Sequence, residues 1–321
     1  MAGKILIPQT VANEAVVYLQ KHGYSVKMGS GAQEADLIRD VGDCDAILLR
    51  TAPCTRAVLE AGTGLKIVAR HGAGYNNIDL EAAGERGIWV TNTPDATTNS
   101  VAEFTLGAII MAAKRTMLFC DALKRNDFFF KYNHKGSDLM GRVLGIVGLG
   151  RIGKAVAKKA YYGLEMKILA YAPTAKPEDV PEYVELADWD TLFSRSDFVS
   201  LHIPARKENE GCVGEKEFAM MKKTAWLINC ARGEVVDQEA LAAALREREL
   251  AGAFLDVLKS EPFDLSWPLF GMDDVVITPH IASNTEECMR LMAMQAAGQI
   301  HKVLSGGKPD WPVNCPHFPA C

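Results

Sequence analysis

The segment Arg142-Val143-Leu144-Gly145-Ile146-Val147-Gly148-Leu149-Gly150-Arg151-Ile152-Gly153 decides the fold. Its first half is an apolar run that reads as a buried strand, and residues 152–162 continue as a helix, so three glycines sit on a strand-to-helix turn. In a Rossmann unit of this kind the first glycine, Gly148, permits the tight turn. Gly150 then lets the backbone approach a pyrophosphate, and Gly153 allows the helix to pack closely on the strand. The phosphate meets amides at the helix N-terminus. Alone, the triplet would read as a flexible turn; strand before and helix after make it a dinucleotide site.

Outward from this point the apolar strand signal recurs at 166–171, 198–201, 226–229, 253–256 and 275–277, with a further helix at 238–249. Upstream, 5–7, 46–49, 65–69 and 88–90 read as strands, and 12–20, 35–41 and 80–86 as helices. Such alternation predicts an α/β architecture of parallel sheets covered on both faces. Residues 98 to about 123, apolar nearly all round from Asn99 to Ala113, predict one long helix buried between domains or subunits. The amphipathic stretch 285–304 follows the last strand and would return to the first domain. We therefore expect two domains. A Rossmann dinucleotide-binding domain at 98–285 is inserted in a smaller flavodoxin-like α/β substrate domain made of 1–97 and 286–321. Residues 309–321 read as an extended surface tail, and no repeat or low-complexity tract is visible.

Composition narrows the partners. At 321 residues, 48% hydrophobic and 23% charged, the chain has the make-up of a globular protein of two-domain size. No apolar run reaches the roughly 18 residues of a membrane span. The apolar stretch at Ile5 to Ile7 is too short for a signal peptide, which argues against secretion. The eight cysteines (Cys44, Cys54, Cys120, Cys212, Cys230, Cys288, Cys315, Cys321) have no metal-ligand or redox-pair spacing, so no metal and reduced thiols in a cytoplasm are expected. A net charge of -5 without a long basic run argues against nucleic acid and leaves a small molecule as the ligand.

The glycine fingerprint is ordinarily followed, about 20 residues on, by an acidic residue at the end of the next strand that accepts from the adenosine ribose. Here the strand runs into Tyr171-Ala172-Pro173-Thr174-Ala175-Lys176, with Ala172 in the acidic position. The missing carboxylate removes a ribose acceptor and a charge that would repel a 2′-phosphate, so NADP stands beside NAD. The Thr174 hydroxyl and the Lys176 ammonium would meet such a phosphate. Three later segments each bring one polar residue to a strand end: Arg232, Glu261 and His280. Strand carboxyl ends face the ligand crevice in open α/β sheets, so the three can converge there. Hydride transfer to a keto acid needs a cation for the carboxylate, a proton donor at the carbonyl and a group that keeps the donor charged. Arg232, His280 and Glu261 match those needs.

Together the fingerprint, Asn229-Cys230-Ala231-Arg232-Gly233-Glu234-Val235-Val236-Asp237, Asp256-Val257 with Glu261-Pro262, and Pro279-His280-Ile281-Ala282 resemble the D-isomer-specific 2-hydroxyacid dehydrogenase family across essentially the whole chain. Arg70-His71-Gly72-Ala73-Gly74-Tyr75-Asn76-Asn77-Ile78-Asp79 is similar to that family's substrate-carboxylate loop, and 99–103 to the start of its interdomain helix. The resemblance implies a cleft between a split substrate domain and a Rossmann domain, a homodimer built around the long helix, and hydride transfer between NAD or NADP and a 2-hydroxy or 2-keto acid. It implies that Arg232 binds carboxylate and carbonyl oxygen, that His280 is the acid/base, and that Glu261 hydrogen-bonds His280 and favours its charged form. Amides around Ala73 and Gly74 would hold the substrate carboxylate. Asp256 would contact the nicotinamide side or orient Arg232, Arg151 and Ile152 would lie over the pyrophosphate, and Cys230 would line the nicotinamide pocket.

Plainer readings accompany these. His202 suits the adenine side, His71 either reaches substrate or fills its loop, and Cys230, with no activating base near, is a packing residue. Lys176, Arg206 and Lys207 taken singly read as solvated charge. Arg50 and Arg70 lie where 3-phosphoglycerate dehydrogenases carry phosphate-binding cations, so a phosphorylated substrate is one alternative. Glyoxylate or hydroxypyruvate is another. Formate dehydrogenases are disfavoured, because Glu261 stands where those relatives carry glutamine. From a different class, an NAD-sensing corepressor-type binding protein shares the fold, although no peptide-binding extension is visible.

Overall fold

The computed structural model describes residues 3–316; the first two residues and the end of the expected tail, with Cys321, lie outside the described residues. The chain divides into two compact units, one running up to Thr97 and resuming at Asn284, the other Thr98–Ser283.

In the first unit, β1 (Lys4–Ile7), α1 (Asn13–Lys21), β2 (Ser25–Met28), α2 (Glu34–Val41), β3 (Ala46–Leu49), α3 (Arg56–Ala61), β4 (Ile67–Arg70), α4 (Leu80–Glu85) and β5 (Trp89–Thr91) follow in order. The strands form a parallel sheet β2-β1-β3-β4-β5, the flavodoxin-like order. Ile5, Ile7, Ala46, Leu48, Ile67 and Ala69 bury one face, and Leu6, Ile47, Leu49 and Val68 the other. Burial on both faces is why these strands read as continuous apolar runs. The edge strand β2, Ser-Val-Lys-Met, has no buried residue and gave no such signal. The six-residue α3 was likewise too short for a periodic pattern.

The second unit opens with α5 (Thr98–Lys114) and α6 (Thr116–Lys124). The single helix expected over 98–123 is broken at Arg115, which adopts the left-handed conformation (φ 52°) while its guanidinium pairs with Asp274. No glycine or proline marks the break, so apolar patterning missed it. There follow β6 (Val143–Val147), α7 (Arg151–Leu164), β7 (Lys167–Tyr171), β8 (Val184–Leu186), α8 (Trp189–Arg195), β9 (Phe198–Leu201), α9 (Glu215–Met220), β10 (Trp226–Asn229), α10 (Gln238–Arg246), β11 (Gly252–Leu255) and β12 (Val275–Ile277). They build a parallel sheet β12-β11-β10-β9-β6-β7-β8. One apolar cluster, with Ile109, Ala112, Val156, Ala160, Ile146 and Phe254, covers one face of this sheet, and another, with Phe193, Phe218, Leu241, Val199 and Leu227, the other. The strand order reverses between β6 and β9, and at such a switch point a crevice opens beyond the carboxyl ends of the strands.

After β12 the chain rejoins the first unit through α11 (Glu286–Leu304), capped by the Thr285 hydroxyl, which accepts from the Cys288 amide at 3.2 Å. Its Ala293, Ala296, Ala297 and Ile300 pack against Ile5, Ile7 and Leu19. Among the described residues no helix is long and apolar enough to cross a membrane.

Candidate active site

Gly148 ends β6 with φ 98°, and a Cβ added there would lie 2.7 Å from the His202 carbonyl oxygen beyond β9. Only glycine turns there without strain. A Cβ on Gly153 would collide with the Gly148 carbonyl oxygen, which seats α7 directly on the turn. A Cβ on Gly150, by contrast, would meet nothing within 4 Å. The second glycine therefore faces open space, as an approaching pyrophosphate requires. Gly150 caps α7, and Arg151 and Ile152 are its first two residues, whose amides have no acceptor within the helix. The Arg151 side chain is exposed, while Ile152 leans on the core. This cradle fits a dinucleotide phosphate.

Beyond the cradle lies a cavity of about 640 Å³ lined by Gly148, Gly150, Ala172, Thr174 and His202. The Nε2 of His202 is 2.9 Å from Ser200 Oγ, and burial pushes its pKa down to about 4, so it is neutral at ordinary pH. Lys176, expected to meet a 2′-phosphate, is exposed and is not among the lining residues. A 3-10 turn at Pro177–Asp179 carries the chain back, and it is Asp179 that lines the wall. Lys154, Trp189 and Glu208 also line it, and sequence reading had singled out none of the four.

The loops after β10, β11 and β12 carry the candidate chemistry. The Asn229 side chain holds the first of them: its Nδ2 donates to the Arg232 carbonyl at 2.9 Å and its Oδ1 accepts from the Ala231 amide at 3.0 Å. Gly233 presses on the backbone of Leu258 so closely that any Cβ would collide, which keeps the Arg232 loop against the loop from β11. Arg232 donates from Nη1 to the Ala231 carbonyl at 2.6 Å and, among the described residues, hydrogen-bonds neither Glu261 nor His280. Those two do meet: His280 Nδ1 is 3.0 Å from each carboxylate oxygen of Glu261. The ring is partly exposed, and with Nδ1 engaged its Nε2 is the nitrogen left to face a substrate.

Asp256 turns its carboxylate to the loop after β12. It has no exposed surface, and its carboxylate accepts from Thr278 Oγ1 at 2.6 Å and from the amides of Ile281 and Ala282 at 2.8 Å each. These bonds make it the staple of the His280 loop, whose His280 takes the left-handed φ of 53°. Three charge-assisted bonds hold a conformation that a non-glycine residue otherwise disfavours. Cys230 is packed into the core, its thiol pushed up to about 12 by burial and by the charge of Asp256. It is thus not a nucleophile.

In the first unit, Arg50 donates to the Thr10 carbonyl at 2.8 Å and Arg70 folds back onto the His71 carbonyl, in space that Gly72 leaves free. The Asn92 side chain pins the Ala73 carbonyl at 2.7 Å. Among the described residues the amides of Ala73 and Gly74 donate to no acceptor. His71 fills its loop: it is buried, with Nε2 3.1 Å from the Met289 carbonyl, and burial, then Arg50 and Arg70, push its pKa down to about 4. Because the folded pKa lies below the ordinary 6.5, the stability it contributes is complete above that value and is lost as pH falls toward 4. The loss is of order 3 kcal/mol. Denaturant melts between pH 7 and 4.5 should therefore fall more steeply for the wild type than for His71→Phe; parallel pH profiles would contradict this account.

Comparison with known proteins bears on the same segments. The family described as "D-isomer specific 2-hydroxyacid dehydrogenase, NAD binding domain" matches residues 106–282. A D-3-phosphoglycerate dehydrogenase of Methanocaldococcus jannaschii is 39% identical over 98% of this chain, and the chain spans 60% of that protein's length. A glyoxylate reductase of Thermococcus litoralis is 38% identical, covering 98% of this chain and 97% of the relative. The crystal structure of NAD+-bound 3-phosphoglycerate dehydrogenase from Entamoeba histolytica superposes with a TM-score of 0.82 at 30% identity, over 98% of this chain and all of that one.

Proposed function

The chain belongs to the D-isomer specific 2-hydroxyacid dehydrogenase family, and from that premise we propose that it moves a hydride between NAD(P) and a small D-2-hydroxy acid or its 2-keto counterpart. The observation that carries the reading is the Glu261–His280 pair, a ring nitrogen held at 3.0 Å by both carboxylate oxygens at the same carboxyl edge of the sheet as the glycine cradle. Bound nicotinamide would supply or accept the hydride. His280 Nε2 gives a proton to the carbonyl oxygen in reduction and takes it back in oxidation, while Glu261 fixes the tautomer and offsets the imidazolium charge. Arg232, planar and always charged, grips the carboxylate and polarises the carbonyl. In the first unit the open amides of Ala73 and Gly74 are the candidate donors to a substrate carboxylate.

A phosphorylated substrate is a second reading. Leu49 pairs with Arg70 across β3 and β4, so Arg50 and Arg70 put two guanidinium groups at one end of the first sheet. A panel of glyoxylate, hydroxypyruvate and 3-phosphohydroxypyruvate with NADH and NADPH separates the readings. Reduction of at least one is expected. No turnover with any, in protein that still binds the nucleotide, would leave the binding-protein alternative.

We infer further that the protein forms a homodimer through its second unit. Leu123 on α6 and Phe128, Phe129 and Tyr132 just after it are exposed, an apolar patch that a second copy would cover. Light scattering should give twice the chain mass. The seven described cysteines are all free, which supports a cytoplasmic location.

A further inference from the structure

We propose that Asp179 supplies the ribose-side carboxylate that position 172 lacks, so that the chain discriminates against a 2′-phosphorylated cofactor despite Ala172. The inference rests on the dinucleotide reading of the cavity. Two successive turns bring Asp179 to it. The Ala175 amide donates to the Ala172 carbonyl at 3.0 Å, and the Asp179 amide to the Lys176 carbonyl at 2.9 Å. The residue seven places after Ala172 thereby lines the same wall as Ala172 and Thr174, while the intervening Lys176 does not.

The surrounding charges determine what that carboxylate does. Among the described residues Asp179 has no ion-pair partner, so its oxygens are open to a ligand. Glu208, also on the wall, lies 3.7 Å from Arg206 and is partly offset. Lys154 is the cationic lining residue, but its amide bonds the Gly150 carbonyl at 2.9 Å, which roots it in the first turn of α7 beside the glycine cradle. In this proposal its charge serves the pyrophosphate. Asp179 sits with Ala172 and Thr174 at the sugar end, where a carboxylate accepts strong hydrogen bonds from ribose hydroxyls. A doubly charged 2′-phosphate in that place would face the like charge of Asp179.

Binding can be read without turnover, because Trp189 lines the same cavity and its fluorescence should be quenched by bound nucleotide. Titrations with NADH and NADPH, which differ only in the 2′-phosphate, are run on the wild type, Asp179→Asn and Lys176→Ala. The wild type should bind NADH about tenfold or more tightly than NADPH, a difference typical of one repulsive charge set against one lost acceptor. Asp179→Asn should bring the two within about threefold, and Lys176→Ala should leave the wild-type ratio in place. Asp179 is exposed, so the near-isosteric asparagine keeps the fold. Equal or tighter binding of NADPH by the wild type, or an unchanged ratio in Asp179→Asn, would overturn the proposal. Binding of neither nucleotide would remove the dinucleotide reading itself, and the proposal with it.

Discussion

His280→Gln should lower turnover of the best keto acid by about 10²- to 10⁴-fold, the usual contribution of a positioned acid/base, while NADH still binds. The separation follows from the layout. The glycine cradle lies after β6, whereas His280 follows β12, with β11, β10 and β9 between them in the sheet, so the proton donor can be removed without touching the phosphate site. Glutamine keeps a polar group near Glu261 but cannot carry a proton between pH 5 and 9. Because residue 280 has φ 53°, part of any loss could reflect backbone strain. His280→Asn controls for that, since asparagine tolerates the left-handed region better than most residues. Both variants should be folded, cofactor-binding and nearly inactive. Turnover like that of the wild type in either one would mean that another group moves the proton.

Arg232→Lys should be the second large effect, raising KM and lowering kcat together. One guanidinium is assigned two tasks, holding the carboxylate and polarising the carbonyl, and lysine lacks the planar fork that does both. A charge-assisted hydrogen bond is worth about 1.5–3 kcal/mol, so loss of one corresponds to roughly 10- to 100-fold in kcat/KM. Arg232→Ala, which loses the charge as well, should fall further still. The backbone at Arg232 is extended, at φ -145°, and strains neither variant. A fully active Arg232→Lys would mean that the carboxylate is not bound through two parallel bonds.

The contrast between legible and hidden features has a physical basis. β1, β3, β6, β9 and β10 were legible because parallel strands buried on both faces are mostly apolar, with only a single polar residue such as Lys4, Ser200 or Asn229 interrupting a run, whereas β2 and β8 lie at sheet edges with polar residues. At the break, Arg115 pairs with Asp274, 159 positions away, a partner that local patterning cannot register. In the site, Arg232, Glu261 and His280 stood out because each follows an apolar strand, and strand ends face the crevice. Asp256 stands at such an end too, but whether its carboxylate points to a ligand or to the backbone of the next loop is set by Thr278, Ile281 and Ala282. The cofactor wall shows the same limit. That Asp179, and not Lys176, reaches it depends on how two tight turns add, and spacing alone does not give their sum.

The most direct test of the central claim is chiral analysis of the 2-hydroxy acid formed from NADH and a prochiral keto acid such as hydroxypyruvate. Carboxylate, carbonyl and proton donor, once fixed by Arg232 and His280, leave a single face of the carbonyl open to hydride. The account predicts the D-isomer in large excess, formed in step with NADH oxidation and lost in His280→Gln. An L-isomer or racemic product would contradict it.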